Sequence, residues 1–300
     1  MQSVLHPIIG PAGPEKKDLT GTVSIITGGA LGIGYEVARF FALYGGHVVM
    51  VNRKEEQGEE AIRKIEAQIK EQGSKGSVEW VGCDLGELKQ VKEVFSGLAK
   101  KFDRLDYLPG VEKGSVRIVF ESSEMHRFAP GSEDSKSRGR GVHFGSEEEI
   151  TEAGKELGPI ELYGRTKLAM ILYAKSIRDK VIKKNGDDIY ILAVHPGAVN
   201  TDMQDQWEAA YPGIVGTITK YATMAIGRDP EQGSYSALYA ALSNEVVEKD
   251  WNGYYLSDPA TPGKETAQAQ DLNLATALWE LSERMTKRIV GDDALESWSA

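Results

Sequence analysis

Only one cysteine, Cys83, occurs among the 300 residues, so no internal disulfide can form and the chain fits a reducing compartment. No stretch approaches the about 18 consecutive apolar residues of a membrane helix. Positive charge is in deficit. The 35 Lys and Arg stand against 45 Asp and Glu, for a net charge of −10 and a pI near 5.2. That balance argues against the electrostatic footprint of a nucleic-acid binder. The one basic cluster, "SKSRGRG" (Ser135–Gly141), is short, Gly/Ser-rich and preceded by acids, and reads as a solvated loop. The first twenty residues lack the charged region and long apolar core of a secretory signal. A cytoplasmic protein with no membrane span and no nucleic-acid partner is expected.

An apolar content of 41% and a charged content of 27% suit a globular protein. The length suffices for one large α/β domain. The expected organisation is a loosely held Pro/Gly-rich arm over residues 1–18, one domain over 19–291 and a tail over 292–300. "TVSIIT" (Thr22–Thr27), "HVVMVN" (His47–Asn52), "VEWVGCDL" (Val78–Leu85) and "IYILAVHPG" (Ile189–Gly197) are buried-strand patterns. "GYEVARFFALYG", the amphipathic "EEQGEEAIRKIEAQIKEQG", Glu87–Lys101 and "ELYGRTKLAMILYAKSIRDKVIKK" are helical. Helical pieces through Met203–Ser243, a late strand "GYYLS" and a closing helix over Leu274–Ile289 complete the chain. Strands alternating with helices predict a doubly wound, Rossmann-like parallel sheet.

Between the first strand and first helix lies "TGGALGIG", Thr27–Gly34, with Thr27, Gly28, Leu31, Gly32, Ile33 and Gly34 as candidate cofactor residues. Glycines there let the backbone approach a pyrophosphate, and the helix N-terminus supplies free N–H groups. At the end of the second strand an acid would accept from the adenosine ribose and favour NAD, whereas a basic side chain accommodates a 2′-phosphate. The sequence has Asn52 and then Arg53, so NADP is expected and NAD is less favoured.

Tyr163 and Lys167 stand four apart on the long helix, hence on one face. A phenol titrates near pH 10. A lysine one turn away favours its phenolate and so equips it to exchange a proton with an alcohol oxygen. "IVFESSEMH" ends a strand in Ser122 and Ser123, where a hydroxyl faces the crevice of an α/β sheet.

The order of Thr27–Gly34, "CDL" (Cys83–Leu85), Ser122–Ser123, Tyr163/Lys167 and "HPGAVNT" (His195–Thr201) resembles the short-chain dehydrogenase/reductase superfamily. "ESSEMHRFAP", "LYGRTKLAMILYAK" and "RDPEQGSYSALYAA" are most similar to its retinol-dehydrogenase-like and fungal alcohol-dehydrogenase-like members. The resemblance implies that Ser123 orients the substrate oxygen, Tyr163 is the general acid/base, and Lys167 also holds the nicotinamide ribose. It implies that Asp84 and Leu85 border the adenine, and that Pro196, Gly197, Val199 and Thr201 hold the carboxamide and phosphate side of the cofactor. Met203, Trp207 and Tyr211 would belong to a variable substrate lid. The implied activity is hydride transfer between NADP and the carbonyl or alcohol of a small, apolar substrate. A homo-oligomer is compatible with the family.

One segment departs from the family. "LDYL" (Leu105–Leu108) and Val116–Phe120 read as successive parallel strands, yet only Pro109–Ser115 connect them, an incomplete crossover at 109–115. A parallel crossover usually takes about 10–12 residues or more. Seven extended residues span about 23–25 Å, enough to return along a strand but not to build a helix. The family's Asn/Ser-Ala-Gly loop, its further catalytic asparagine and a helix that often builds the dimer interface have no counterpart here. Parallel strands would leave a sheet face bare, whereas a hairpin would carry Ser123 out of the site. The alternative to an active oxidoreductase is therefore a catalytically impaired relative, or a truncated gene product, with weak or no cofactor binding.

Overall fold

The structure is a computed structural model that describes residues 13–102, 114–132, 141–152, 156–199, 228–257 and 261–294. The expected strand Leu105–Leu108, most of its connection to Val116, Thr201 and the expected lid residues Met203, Trp207 and Tyr211 lie outside the described residues. Most of the expected arm and most of the basic cluster do so too. The chain divides into two compact units, Met1–Val116 with Pro196–Ser243, and Arg117–His195 with Asn244–Ala300.

The first unit holds β1 (Val23–Thr27), α1 (Gly32–Leu43), β2 (His47–Asn52), α2 (Glu55–Gln72), β3 (Ser77–Gly82) and α3 (Leu88–Lys101). Its three strands are parallel in the order β1-β2-β3. Val48–Val51 are fully buried, as a central strand covered on both faces should be. α1 and α2 lay Ala38, Phe41, Ala61 and Ile65 on one face. On the other face Val49, Val51 and Cys83 pack with Leu98 of α3. Thr27 pairs with Val51, and Asn52 with Gly82, so the C-terminal ends of the three strands share one edge. The α2 helix stops at Gly73 in the left-handed conformation, which glycine adopts at little cost. A further helix of this unit, Pro230–Leu242, is numbered α6 below; it starts on an Asp229 cap and packs on α1.

In the second unit β4 (Val116–Glu121) leads into a 3₁₀ turn, Glu124–Phe128. The short α4 (Glu147–Thr151) and the long α5 (Pro159–Ile177) follow. A π turn over Arg178–Ile182 and a last turn, Lys183–Asn185, extend α5 to Gly186. β5 (Ile189–His195) precedes α6 in the chain. α7 (Glu245–Glu248), β6 (Tyr255–Ser257), β7 (Thr261–Pro262), α8 (Ala267–Gln270) and α9 (Leu272–Val290) complete it. The sheet order is β4-β5-β6-β7, with β6 parallel to β5 and β7 antiparallel. Leu168, Ile171 and Leu172 of α5 meet Ile191 and Ala193 of β5 and Leu274, Leu278 and Leu281 of α9 in one core.

The architecture is the α/β arrangement of parallel strands flanked by helices that the alternation predicts. Two details differ from the expectation of one continuous parallel sheet. Among the described residues the strands form two sheets, and the second closes on an antiparallel pair. β1 and β4 each have one sheet partner there, and no residue of either strand is fully buried.

Candidate active site

In the first unit the glycine loop is shaped by close approach. Gly28 (φ 70°) and Gly32 (φ 56°) adopt the left-handed region. At Gly34 a Cβ would lie 2.4 Å from the Gly28 carbonyl oxygen, so only glycine lets the first turn of α1 settle on the loop. Leu31 precedes α1 in an extended conformation and no side chain caps the helix. Its first turn holds no acid. A glycine cradle closed by an uncapped helix N-terminus fits the phosphates of a dinucleotide.

The end of β2 faces the end of β3. The Arg53 guanidinium lies 3.3 Å from the Asp84 carboxylate. That carboxylate is held below its usual range first by the Gly86 N–H and then by Arg53. Asn52 uses both ends of its carboxamide, accepting from the Trp80 indole at 2.9 Å and donating to the Lys54 carbonyl at 3.1 Å. Leu31 and Leu85 are large apolar side chains left half exposed. Gly197 takes φ 86°, and Val199 bridges to Arg228 just before α6. On α6, a Cβ at Gly233 would meet both Val199 (2.7 Å) and Ile33 of α1 (3.2 Å). The first unit thus carries Thr27, Gly28, Leu31–Gly34, Asn52, Arg53, Asp84, Leu85 and Pro196–Val199.

The second unit assembles the proton-transfer candidates. β4 ends at Glu121, and the chain stays extended through Ser123. Ser122 donates to the Lys167 carbonyl at 2.7 Å, tying the strand end to α5. Ser123 caps the 3₁₀ turn by accepting the Met125 N–H at 3.2 Å, and its hydroxyl lies near enough to the Tyr163 phenol to favour the phenolate. With its oxygen engaged by the Met125 N–H, the serine keeps its own proton to donate. The carbonyl of Ser123 receives two donors from His126, the backbone N–H at 3.0 Å and Nδ1 at 2.7 Å. Gly164, next to Tyr163, makes this proximity possible. A Cβ there would stand 2.7 Å from the Met125 carbonyl oxygen and 2.8 Å from the Ala129 nitrogen.

Lys167 donates to the Glu121 carbonyl at 2.9 Å, and its ammonium lies 5.4 Å from the centre of the Tyr163 ring. Burial pushes the lysine below its ordinary value. Tyr163 departs from the electrostatic expectation. Burial first, and then Glu121, push the phenol above its ordinary value, with only the Ser123 hydroxyl acting downward. Its lysine is turned to a backbone carbonyl and does not offset the cost of desolvation. Glu121 itself is pushed up by burial, with Lys167 opposing. Sequence reasoning did not single out Trp80, His126 or Gly164. Their parts rest on contacts between elements, and no spacing rule encodes those. Among the described residues no cluster of His, Cys, Asp or Glu could hold a metal ion.

A profile of the family described as short chain dehydrogenase matches residues 22–127, from β1 through the Ser122–Ser123 strand and its turn. Over that third of its length the chain is similar to the short-chain dehydrogenase family. A Neurospora crassa protein named as the mitochondrial oxidoreductase bli-4 is 29% identical, over 90% of this chain and 73% of its own length. A polyprenol dehydrogenase of Danio rerio is 26% identical over 90% and 88%. The first alignment runs over 321 positions but uses only about 270 residues of this chain (90% of 300), leaving about 50 positions of the relative unmatched. The second runs over 296 positions and leaves about 26 (296 against 90% of 300). Among solved structures, L-sorbose reductase from Gluconobacter frateurii, complexed with NADPH and L-sorbose, superposes with a TM-score of 0.56. It is 17% identical and covers 84% of this chain and 100% of its own, a likeness of fold. The described residues contain no helix long and apolar enough to cross a membrane.

Proposed function

We propose that this chain is a short-chain dehydrogenase/reductase, an NADP-dependent oxidoreductase acting on the carbonyl or alcohol of a small apolar molecule. The observation that carries the reading is the gathering of Ser123, Tyr163 and Lys167, with the serine hydroxyl near the phenol and the lysine ammonium 5.4 Å from its ring centre. Thr27–Gly34, Asn52, Arg53, Asp84, Leu85 and Pro196–Thr201 would hold the cofactor. When bound, the nicotinamide supplies or accepts the hydride. Ser123 donates a hydrogen bond to the substrate oxygen. Tyr163, kept protonated by burial, gives that oxygen its proton in the reducing direction and takes it back in the oxidising one. Lys167 supplies positive charge beside the phenol when it ionises. Arg53 favours a 2′-phosphate, and β2 ends in Asn52 where an acid would accept from the ribose hydroxyls. The cytosol and a mitochondrial compartment both suit this chemistry, and a second copy of the chain is a compatible partner.

A second reading, a nucleotide-binding relative without turnover, is favoured by the about 50 positions of the bli-4 protein that this chain does not match (321 positions against 90% of 300). With only Pro109–Ser115 between the strand expected at Leu105–Leu108 and the one at Val116, the covering helix and its asparagine are the natural loss. Titration with NADPH and NADH, followed by nicotinamide fluorescence and thermal melting, separates the readings when joined to a turnover assay. Tight NADPH binding with oxidation of NADPH by hydrophobic aldehydes or ketones supports the enzyme. Binding without turnover supports the second reading, and a chain that binds neither nucleotide contradicts both.

A further inference from the structure

Trp80 stands opposite Met50 on the neighbouring strand, and Asn52 opposite Gly82, so the indole and the Asn52 carboxamide lie on one face, one step apart along the diagonal. The indole is held in a seat cut by two glycines. A Cβ on Gly58 of α2 would come within 2.3 Å of the ring, and one on Gly82 within 3.1 Å. Its N–H can only donate, and it donates to Asn52 Oδ1 at 2.9 Å. That contact fixes which end of the carboxamide is which. The oxygen is turned to Trp80, while Nδ2 donates one proton to the Lys54 carbonyl and keeps a second. Asn52 is thus left with a donor and no free acceptor beside the Arg53 guanidinium, which itself faces the Asp84 carboxylate.

We infer that Trp80 is a specificity-determining residue of the cofactor site: by occupying the Asn52 oxygen it leaves that carboxamide only a donor to offer beside Arg53, which suits a 2′-phosphate. This rests on the dinucleotide reading above and adds a residue that never needs to touch the cofactor. A phosphate only accepts, so it uses the second Asn52 N–H together with Arg53. A ribose 2′-hydroxyl gains most from an acceptor, which Trp80 withholds. Without the indole N–H the carboxamide is free to turn over and present its oxygen.

Calorimetric titration of the full chain with adenosine 2′,5′-bisphosphate and with 5′-AMP tests this without any turnover. The wild type should favour the bisphosphate by about 30-fold, and Trp80→Phe should shrink that ratio to about threefold by tightening 5′-AMP and loosening the bisphosphate. Asn52→Ala, which leaves the indole seat intact, should weaken the bisphosphate by about 5- to 10-fold and leave 5′-AMP unchanged. In the Asn52→Ala background Trp80→Phe should have no further effect on the ratio. If Trp80→Phe fails to fold, Asn52→Ala still decides, because an unaltered ratio there overturns the inference. A folded Trp80→Phe with the wild-type ratio overturns it equally. Equal affinities in the wild type would overturn the inference while leaving a nucleotide site. If neither probe binds the wild type, the dinucleotide reading itself fails.

Discussion

Tyr163 is half-buried, near the Ser123 hydroxyl and set against Glu121, and desolvation with that carboxylate makes its phenol harder to ionise than a free one. In the cofactor-free chain its phenolate band, read as the ultraviolet difference between wild type and Tyr163→Phe, should appear only above about pH 10. Glu121→Gln should move that midpoint down, since an ionised carboxylate opposes a second negative charge. A midpoint below pH 9 in the wild type would contradict this electrostatic account. In turnover, Tyr163→Phe should cost about 10²- to 10⁴-fold in kcat while the NADPH dissociation constant stays put. Arg53 is exposed and shares its charge with Asp84. Arg53→Ala should weaken NADPH by about tenfold or more, leave NADH nearly unchanged and flatten the salt dependence of NADPH binding. Equal losses for both cofactors would mean that Arg53 does not read the 2′-phosphate.

Among the elements, two glycines carry more than their neighbours. Gly34 lets α1 begin against the Gly28 turn, and Gly164 lets α5 lie against the turn that holds Ser123. A methyl at either position meets backbone, which cannot swing aside as a side chain can. Gly34→Ala and Gly164→Ala should each cost about 1–3 kcal/mol of stability. The first should also abolish nucleotide binding, and the second should lower kcat with binding retained. Thermal melts paired with titrations separate the two effects. The glycine turn before α1 and the shared helix face of Tyr163 and Lys167 were legible in the sequence because each depends on spacing within one element or one junction. The strands β2 and β5 were legible for a similar reason, as each is a run of buried apolar residues. The seat of Trp80, the double donation of His126 to Ser123 and the role of Gly164 join residues far apart in the chain. The upward shift of Tyr163 also escaped the sequence. A lysine at the right spacing says nothing of whether its ammonium points to the phenol or, as here, to the Glu121 carbonyl.

Among the described strands, β2 and β5 are buried most completely, while every residue of β1 and β4 keeps some exposure. Amide exchange should therefore be slowest in Val48–Val51 and Ile191–Val194 and measurably faster in Val23–Thr27 and Val116–Glu121. Equal protection in all four strands would contradict this ranking. Acid should destabilise the fold. The Asp179 carboxyl is held down at about 2, chiefly by its hydrogen bond to Arg178. Its stabilisation is fully present above the unfolded value near 4 and is lost as pH falls through about 2, about 1 kcal/mol for a group this exposed. Asp179→Asn should remove that part of the acid sensitivity in denaturant melts between pH 5 and pH 2. The central claim is hydride transfer, and it is tested most directly by incubating the full chain with NADPH deuterated at C4 and a panel of hydrophobic aldehydes and ketones. The account predicts one deuterium on the carbinol carbon of the product, and none when Tyr163→Phe is used. A chain that binds NADPH tightly yet transfers no deuterium would contradict it and leave a nucleotide-binding relative without turnover.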